Sequence, residues 1–316
     1  MYHIGIDLGG TNIAVGLVSE TGAILHRKSV PTAVERGTEA IVGDMAGAAL
    51  SLTQEAGIPL GEIASVGIGS PGAVDPVSGT VVSACNLHFQ NVPLAELMRR
   101  HFPCPVYVEN DANCAAWAEA MAGAAKGSRD SIMLTLGTGV GGGIVIGGRL
   151  YGGFNHYGAE FGHMILCPDG EACACGKRGC LEAYASATAL LREARRAAQK
   201  DSTSLLRQYD LDGTLNGPRF FDAVGQGDPT AQAVLDAYLD HLALGILNLL
   251  TIFQPEVLVV GGGISEAGEA LFAPLRERLA DSFRYIAPDK RTAVRAAALG
   301  NDAGIVGAAL LGQASD

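Results

Sequence analysis

The chain has 316 residues, with 22 Lys and Arg against 33 Asp and Glu, a net charge of −11 and 48% hydrophobic residues. The length is about twice the ~150 residues of one domain, so two lobes with separate cores are expected, and the mixture excludes a disordered tail. Nucleic acid is not expected as a partner, because polyanion binding draws on clustered Lys and Arg. The one dense basic run, Arg192, Arg195, Arg196 and Lys200, is interleaved with Ala at helical spacing and reads as a solvated helix face.

The first ten residues show no basic segment followed by an apolar stretch and a cleavage site, so a cytoplasmic protein outside the membrane is expected. Glycine is the anomaly, at 43 residues, about 14% where ~7% is usual. The glycines cluster at Gly9-Gly10, from Gly137 to Gly148 and at Gly261 to Gly263, which points to tight turns close to a ligand.

Taken along the chain, His3 to Asp7 reads as an apolar strand, followed by the turn Leu8-Gly9-Gly10-Thr11 and a second strand from Ile13 to Val18. A helix is predicted over 37–55, a strand over 65–68, a strand over 106–109 and a helix over 112–124. Ser131 to Gly148 is long and uncharged, but its glycines make it strand, turn, strand: Ile132 to Leu136, a turn at 137–143, then Ile144 to Ile146. The two hairpins share one plan, so an internal duplication with two similar lobes facing each other across a cleft is expected. Helices are predicted over 181–199, 229–253, 267–282 and 302–311, with one buried strand over 257–260. The stretch 201–217 is predicted to be an irregular loop with no catalytic part.

Gly137-x-Gly139-x-x-Gly142 has the spacing of a dinucleotide fingerprint, but the residues after it are strand-like where that fingerprint needs a helix, and no Walker-type phosphate loop occurs. A nucleotide would therefore sit on the hairpin turns. Successive amides of a Gly-rich turn cradle anions, Thr11 and Thr138 add hydroxyls, and Asp7 is placed to hold a hydrated Mg²⁺ against phosphate oxygens. At Glu109-Asn110-Asp111, where strand meets helix, Asp111 is either the cap of that helix or a base that takes a hydroxyl proton, and Asn110 suits a polyol. No role falls to Glu109. His163, Cys173, Cys175 and Cys180 form a closed tetrahedral set for structural Zn²⁺, with Cys167 competing against His163 as the fourth ligand. Cys85, Cys104 and Cys114 are expected to be small core residues.

Together, Asp7-Leu8-Gly9-Gly10-Thr11, Ser70-Pro71-Gly72, Glu109 to Asn113, Gly137 to Gly143, Glu160-Phe161-Gly162-His163 and Cys173-x-Cys175-Gly176-x-x-Gly179-Cys180-x-Glu182 resemble the ROK family of sugar kinases and repressors, in order from about Ile4 to Leu311. The resemblance implies an α/β protein of the actin-like ATPase (ribonuclease H-like) fold, two lobes around a cleft with a zinc-binding loop at 163–180. The lobes would be 1–114, with the helix 302–316 packing back on it, and 115–301. It implies transfer of the γ-phosphoryl of ATP to the 6-hydroxyl of a hexose, as in carbohydrate metabolism, with ATP, Mg²⁺ and structural Zn²⁺. Asp111 would be the catalytic base. Gly72, Asn110, Asp111, Glu160, His163 and Glu182 would bind the sugar, His163 holding zinc with one ring nitrogen and the sugar with the other. Asp7, Gly9, Gly10, Thr11, Asn12, Thr138 and Gly139 would serve the phosphates, and Gly262 and Gly263 the adenosine.

The segment Asn86-Leu87-His88-Phe89 resembles the Asn-Leu-Gly-Trp of the family's bacterial glucokinases, with His88 and Phe89 in place of Gly and Trp. Glucose is the expected substrate, with N-acetylglucosamine, N-acetylmannosamine, fructose or mannose as alternatives, and a homodimer is expected. The rival classes are a non-catalytic sugar-binding regulator and a repressor; the family's repressors carry a helix-turn-helix before the first Gly-Gly-Thr motif, and no room for one is expected here.

Overall fold

A computed structural model describes residues 1–280 and 282–314. Residues 315–316 of the expected C-terminal helix and Asp281 of the stretch 267–282 lie outside them. The chain divides into two compact units, one made of Met1–Met133, Gly143–Ala159 and Ala298–Asp316, the other of Leu134–Gly142 and Glu160–Ala297.

In the first unit, β1 (Tyr2–Leu8), β2 (Asn12–Ser19) and β3 (Ile24–Pro31) run antiparallel, α1 (Thr38–Glu55) follows, and β4 (Ile63–Ser70) pairs parallel with β1. Three short strands, β5 (Ala73–Asp75), β6 (Thr80–Ala84) and β7 (Phe89–Val92), form a separate antiparallel sheet. After α2 (Leu94–Arg99), β8 (Val106–Asn110) joins β4 in parallel and leads directly into α3 (Asp111–Met121), giving the main sheet the order β3-β2-β1-β4-β8. The near-continuous apolar run of β1 fits its central place, since a strand between two neighbours and under helices is buried on both faces.

A second sheet has the order β11-β10-β9-β12-β13, built from β9 (Ser131–Leu136), β10 (Val140–Ile146), β11 (Arg149–Leu150), β12 (Val257–Gly261) and β13 (Ala293–Ala296). Its order repeats that of the first, hairpin, third strand and then two later strands, as the duplicated hairpins lead one to expect. The second unit carries α4 (Glu182–Ala185), α5 (Ala187–Ala198), α6 (Leu205–Leu211), α7 (Gly217–Gly225), α8 (Pro229–Phe253) and α9 (Glu269–Ala280). Helices α4 to α7 and α9 pack on α8, which Pro229 starts and the Asp228 carboxylate caps. Among the described residues α8 is the one helix long and apolar enough to cross a membrane by length and composition, and half of its most apolar window is buried.

The chain returns to the first unit as α10 (Ala303–Ala309), which lies on β1 and β4 and against α3. It approaches so closely that a Cβ on Gly5 or Gly67 would stand 2.0 or 1.7 Å from the carbonyl oxygens of Ile305 and Ala308. Only glycine leaves room there.

The structure corrects four expectations. The stretch 201–217 is not irregular: it holds α6, whose Ser204 caps the helix while the Asp228 carboxylate accepts from Ser204 Oγ at 2.8 Å and from the Leu205 amide at 2.6 Å. The helix over 181–199 breaks at Ser186, which leaves helical geometry to cap α5 by accepting from the Ala189 amide. Beyond the strand at 257–260 the chain forms a further one, β13, parallel to β12. Finally, Cys114 is buried but Cys104 only partly and Cys85 is exposed, because Cys85 opens a short 3-10 turn where no core surrounds it.

Candidate functional site

In the first unit, β1 carries Asp7 next to its last residue, Leu8, and turns through Gly9, Gly10 and Thr11 into β2, the turn closed by the Gly9 amide donating to the Asn12 carbonyl at 3.0 Å. Asp7 pairs across the sheet with Gly69 of β4 and lies under the start of α10, where a Cβ on Gly304 would stand 2.5 Å from Asp7 Oδ2. Burial first, and then the nearby Asp111 carboxylate, push the Asp7 carboxyl up to about 6.

The sign of that shift yields a prediction. The folded state holds the Asp7 proton more tightly than the unfolded chain, so the stability Asp7 gives when protonated is present below its ordinary value of 3.8 and is lost as pH rises through about 6. In metal-free buffer Asp7→Asn should therefore raise Tm by a few degrees near pH 8, with the gap to wild type closing between about pH 6 and pH 4. Thermal melts across that range check it, and equal melting temperatures near pH 8 would contradict it.

The junction of β8 and α3 shows which residue caps the helix. The cap is Asn110, whose Oδ1 accepts from the amides of Ala112 at 2.9 Å and Asn113 at 3.2 Å. Asp111 is the first residue of the helix itself, and its Oδ1 also accepts from the Ala112 amide at 2.8 Å. Asn110 Nδ2 donates to the Gly72 carbonyl at 3.1 Å, and Gly72 has φ +86 with the Ser83 carbonyl 2.1 Å from where a Cβ would be, so the position admits only glycine. Capping thus occupies the acceptor of Asn110, the Gly72 carbonyl takes one N–H of its amide, and the second N–H is the donor it has for a ligand.

Glu109, given no role from the sequence, fastens this junction. Its Oε1 accepts from the Asn110 amide at 2.7 Å and from Asn113 Nδ2 at 3.0 Å, and burial pushes its carboxyl above the usual range. The signal was the i, i+4 spacing of Glu109 and Asn113 at a helix start.

In the second unit, the turn Gly137-Thr138-Gly139 is followed by Val140, whose amide donates to Glu182 Oε2 at 3.0 Å. A Cβ on Gly139 would lie 2.3 Å from that oxygen. The other Glu182 oxygen is 3.5 Å from Cys173 Sγ, so Glu182 links the turn to the cysteine loop. At the end of β12, Gly262 has φ +84 and would drive a Cβ to 2.6 Å from the Leu136 backbone, while Gly263 faces open space.

The structure brings His163, Cys173, Cys175 and Cys180 together, with all four ligand atoms within 4.8 Å of one another; Cys167 is not in the set. Cys173 Sγ lies 3.7 Å from His163 Nδ1 and Cys175 Sγ 3.7 Å from Cys180 Sγ. A tetrahedron with Zn–S bonds of about 2.3 Å has S···S edges of about 3.8 Å, so the residues fit zinc. Gly176, at φ +87, lets the loop fold back so that the Cys173 amide donates to the Lys177 carbonyl at 2.9 Å. Burial and the adjoining thiols push Cys180 up to about 12, a repulsion that a divalent cation would reverse. His163 turns Nδ1 to the cluster and Nε2 toward Glu160, 3.9 Å from Oε2.

Phe89 lies in β7 with 3% exposure, inside the core, and His88 beside it is exposed at φ +55. Phe89 therefore cannot offer its ring face to a sugar and shapes any recess only from behind. Asn86 lies against the first turn, with Nδ2 3.2 Å from the place of a Cβ on Gly10.

A family model described as the ROK family matches residues 3–315. A glucokinase from Thermotoga maritima is 43% identical over 312 residues, 97% of this chain and 95% of that protein. The crystal structure of a ROK hexokinase from Thermus thermophilus superposes with a TM-score of 0.83 at 36% identity, covering 98% of this chain and 97% of the other. That of a ROK family glucokinase from Streptomyces griseus, in complex with glucose and AMPPNP, gives 0.81 at 38% identity, covering 98% and 99%. The fold is accordingly that of these sugar kinases, the actin-like ATPase fold with mixed α/β sheets.

Proposed function

We propose that this chain, which belongs to the ROK family, is an ATP-dependent kinase that phosphorylates the 6-hydroxyl of glucose. The observation that carries the reading is the place of Asp111: Asn110 caps α3 and Asp111 follows as the first helical residue, which sets a carboxylate at the helix start where it would take the proton that a sugar hydroxyl must lose. The glucokinases among its relatives, one holding glucose and AMPPNP, support the same substrates.

In this reading Asp111 takes the proton of the 6-hydroxyl as its oxygen attacks the γ-phosphorus, and the bond to the β-γ bridging oxygen breaks to release ADP. The Asn110 amide, the Gly72 backbone, Glu160, His163 Nε2 and Glu182 hold the remaining hydroxyls. Gly9 closes the first turn through its amide, the amides of Gly10, Asn12 and Gly139 with the hydroxyls of Thr11 and Thr138 receive the phosphates, and Gly262 and Gly263 line the adenosine. Asp7 would hold hydrated Mg²⁺, which neutralises charge on the phosphate oxygens. His163, Cys173, Cys175 and Cys180 would hold zinc, which fixes the ring of His163 so that Nε2 is presented as a donor. The enzyme would act in the cytoplasm as a homodimer.

In this reading each sugar hydroxyl would meet a polar group, and one left buried without a partner costs about 1 to 3 kcal/mol. Glucose is therefore expected to exceed N-acetylglucosamine and N-acetylmannosamine in kcat/KM, with mannose second. Comparing kcat/KM across these sugars at one saturating ATP concentration tests this, and a ratio favouring an acetylated sugar would move the substrate to the acetylhexosamines.

A further inference from the structure

Each of the two Gly-rich turns is held from outside by the same kind of attachment. At the first, Thr32, which follows β3 and is fully buried, donates its amide to the Thr11 carbonyl at 2.9 Å and its Oγ1 to the Gly9 carbonyl at 2.6 Å. At the second, the Ala187 amide donates to the Gly137 carbonyl at 2.8 Å, and Thr188 Oγ1 donates to the Thr138 carbonyl at 2.7 Å. The donors come from unrelated elements, the end of a strand in one case and the first turn of α5 in the other. Both sets take two turn carbonyls with one main-chain N–H and one threonine hydroxyl.

In a planar trans peptide the C=O and the following N–H point in opposite directions. Tying down the Gly9 and Thr11 carbonyls therefore aims the N–H groups of Gly10 and Asn12 away from Thr32. Tying down the Gly137 and Thr138 carbonyls aims those of Thr138 and Gly139 away from α5. A Gly-rich turn can flip such planes at little cost, because glycine is allowed on both sides of φ. A flipped plane would present a carbonyl oxygen to a phosphate, repelling it where an N–H would bind it.

We infer that Thr32 and Thr188 are positioning residues that lock the peptide planes of the two turns with their N–H groups facing the nucleotide phosphates. The inference rests on the phosphate-binding reading of those turns. Neither residue touches the nucleotide in this account; each acts through a carbonyl. The break of the helix at Ser186 has a purpose in the same terms, because it frees the Ala187 amide for Gly137 and sets Thr188 against Thr138.

The test is calorimetry with AMPPNP and Mg²⁺, together with steady-state kinetics, on Thr32→Val, Thr188→Val and the two Thr→Ser variants. Valine keeps the shape and removes the donor, so each Val variant should weaken AMPPNP binding and raise KM for ATP by about 5- to 30-fold, the effect of one lost hydrogen bond that left a carbonyl unpaired. KM for glucose should stay within about twofold, and the Ser variants, which keep the hydroxyl, should restore most of the affinity. Thr32 is buried and its Val variant risks misfolding, so Thr188→Val, on an exposed side chain, carries the test independently. Folded Val variants that bind AMPPNP as wild type does would overturn the inference and leave the kinase reading standing. Equal losses for glucose and nucleotide would overturn it too, as the mark of a general structural role. A wild-type chain with no affinity for AMPPNP would overturn both readings at once.

Discussion

Asp111→Asn is expected to lower kcat by about 10² to 10⁴ while leaving glucose affinity within a few-fold of wild type. The amide keeps the shape of the side chain and can still bond a hydroxyl, but it cannot accept the proton. The substitution leaves the helix start intact, since Asn110 supplies the capping acceptor of α3 and the amide oxygen of an asparagine at 111 can still accept from the Ala112 amide. The measurement is kcat alongside sugar affinity by calorimetry. A variant within a few-fold of wild-type kcat would show that another group takes the proton. Loss of both binding and turnover, with an unchanged melting temperature, would place Asp111 among the groups that bind the sugar.

Zinc removal is expected to have the second large effect. The four ligands could fill a tetrahedral set, so zinc bound there would hold the loop from His163 to Cys180 and offer no open coordination position. His163 and Glu182 sit on this cluster through Nδ1 and through the contact of Glu182 with Cys173, so losing the metal should release both. Chelation, or Cys175→Ser, should raise KM for glucose by at least about tenfold, while AMPPNP affinity changes less. Protein purified without added zinc should carry about one equivalent per chain by metal analysis, and a metal-free preparation with unaltered KM for glucose would contradict the assignment.

The parts of the fold that were legible in the sequence are those where one local pattern had a single physical outcome. Apolar strands closed by glycine turns could only be hairpins, and their repetition at 3–18 and 132–146 anticipated two sheets of matching strand order. The cysteine spacing anticipated a metal set because three thiols and an imidazole in one short loop have few other uses. The missed strands lie where the pattern is weak. Strand β3, ILHRKSVP, is an edge strand with charged and polar side chains exposed, and β13 has four residues at the far edge of its sheet. Helix α6 was hidden because Ser204 and Asp201, which read as loop residues, are cap and turn groups tied to α8 through Asp228 and Thr230.

The candidate site was legible as a list of residues and not as a set of relations. That Asn110 and not Asp111 caps α3 depends on where β8 ends, to within one residue, and sequence patterns do not fix boundaries that finely. The burial of Phe89 follows from the register of β7 on β6, and a shift of one residue would have turned it outward. The attachments at Thr32 and Thr188 join residues 23 and 50 positions apart, contacts that no local pattern signals.

Phosphoryl transfer from ATP to glucose is measured most directly by following ADP and sugar phosphate together in a reaction of purified chain, ATP, Mg²⁺ and glucose. One ADP and one glucose 6-phosphate are expected for each glucose consumed, with little ADP release when glucose is left out. Glucose bound by the chain without formation of ADP would contradict it, and would make the protein a sugar-binding regulator built on a kinase fold.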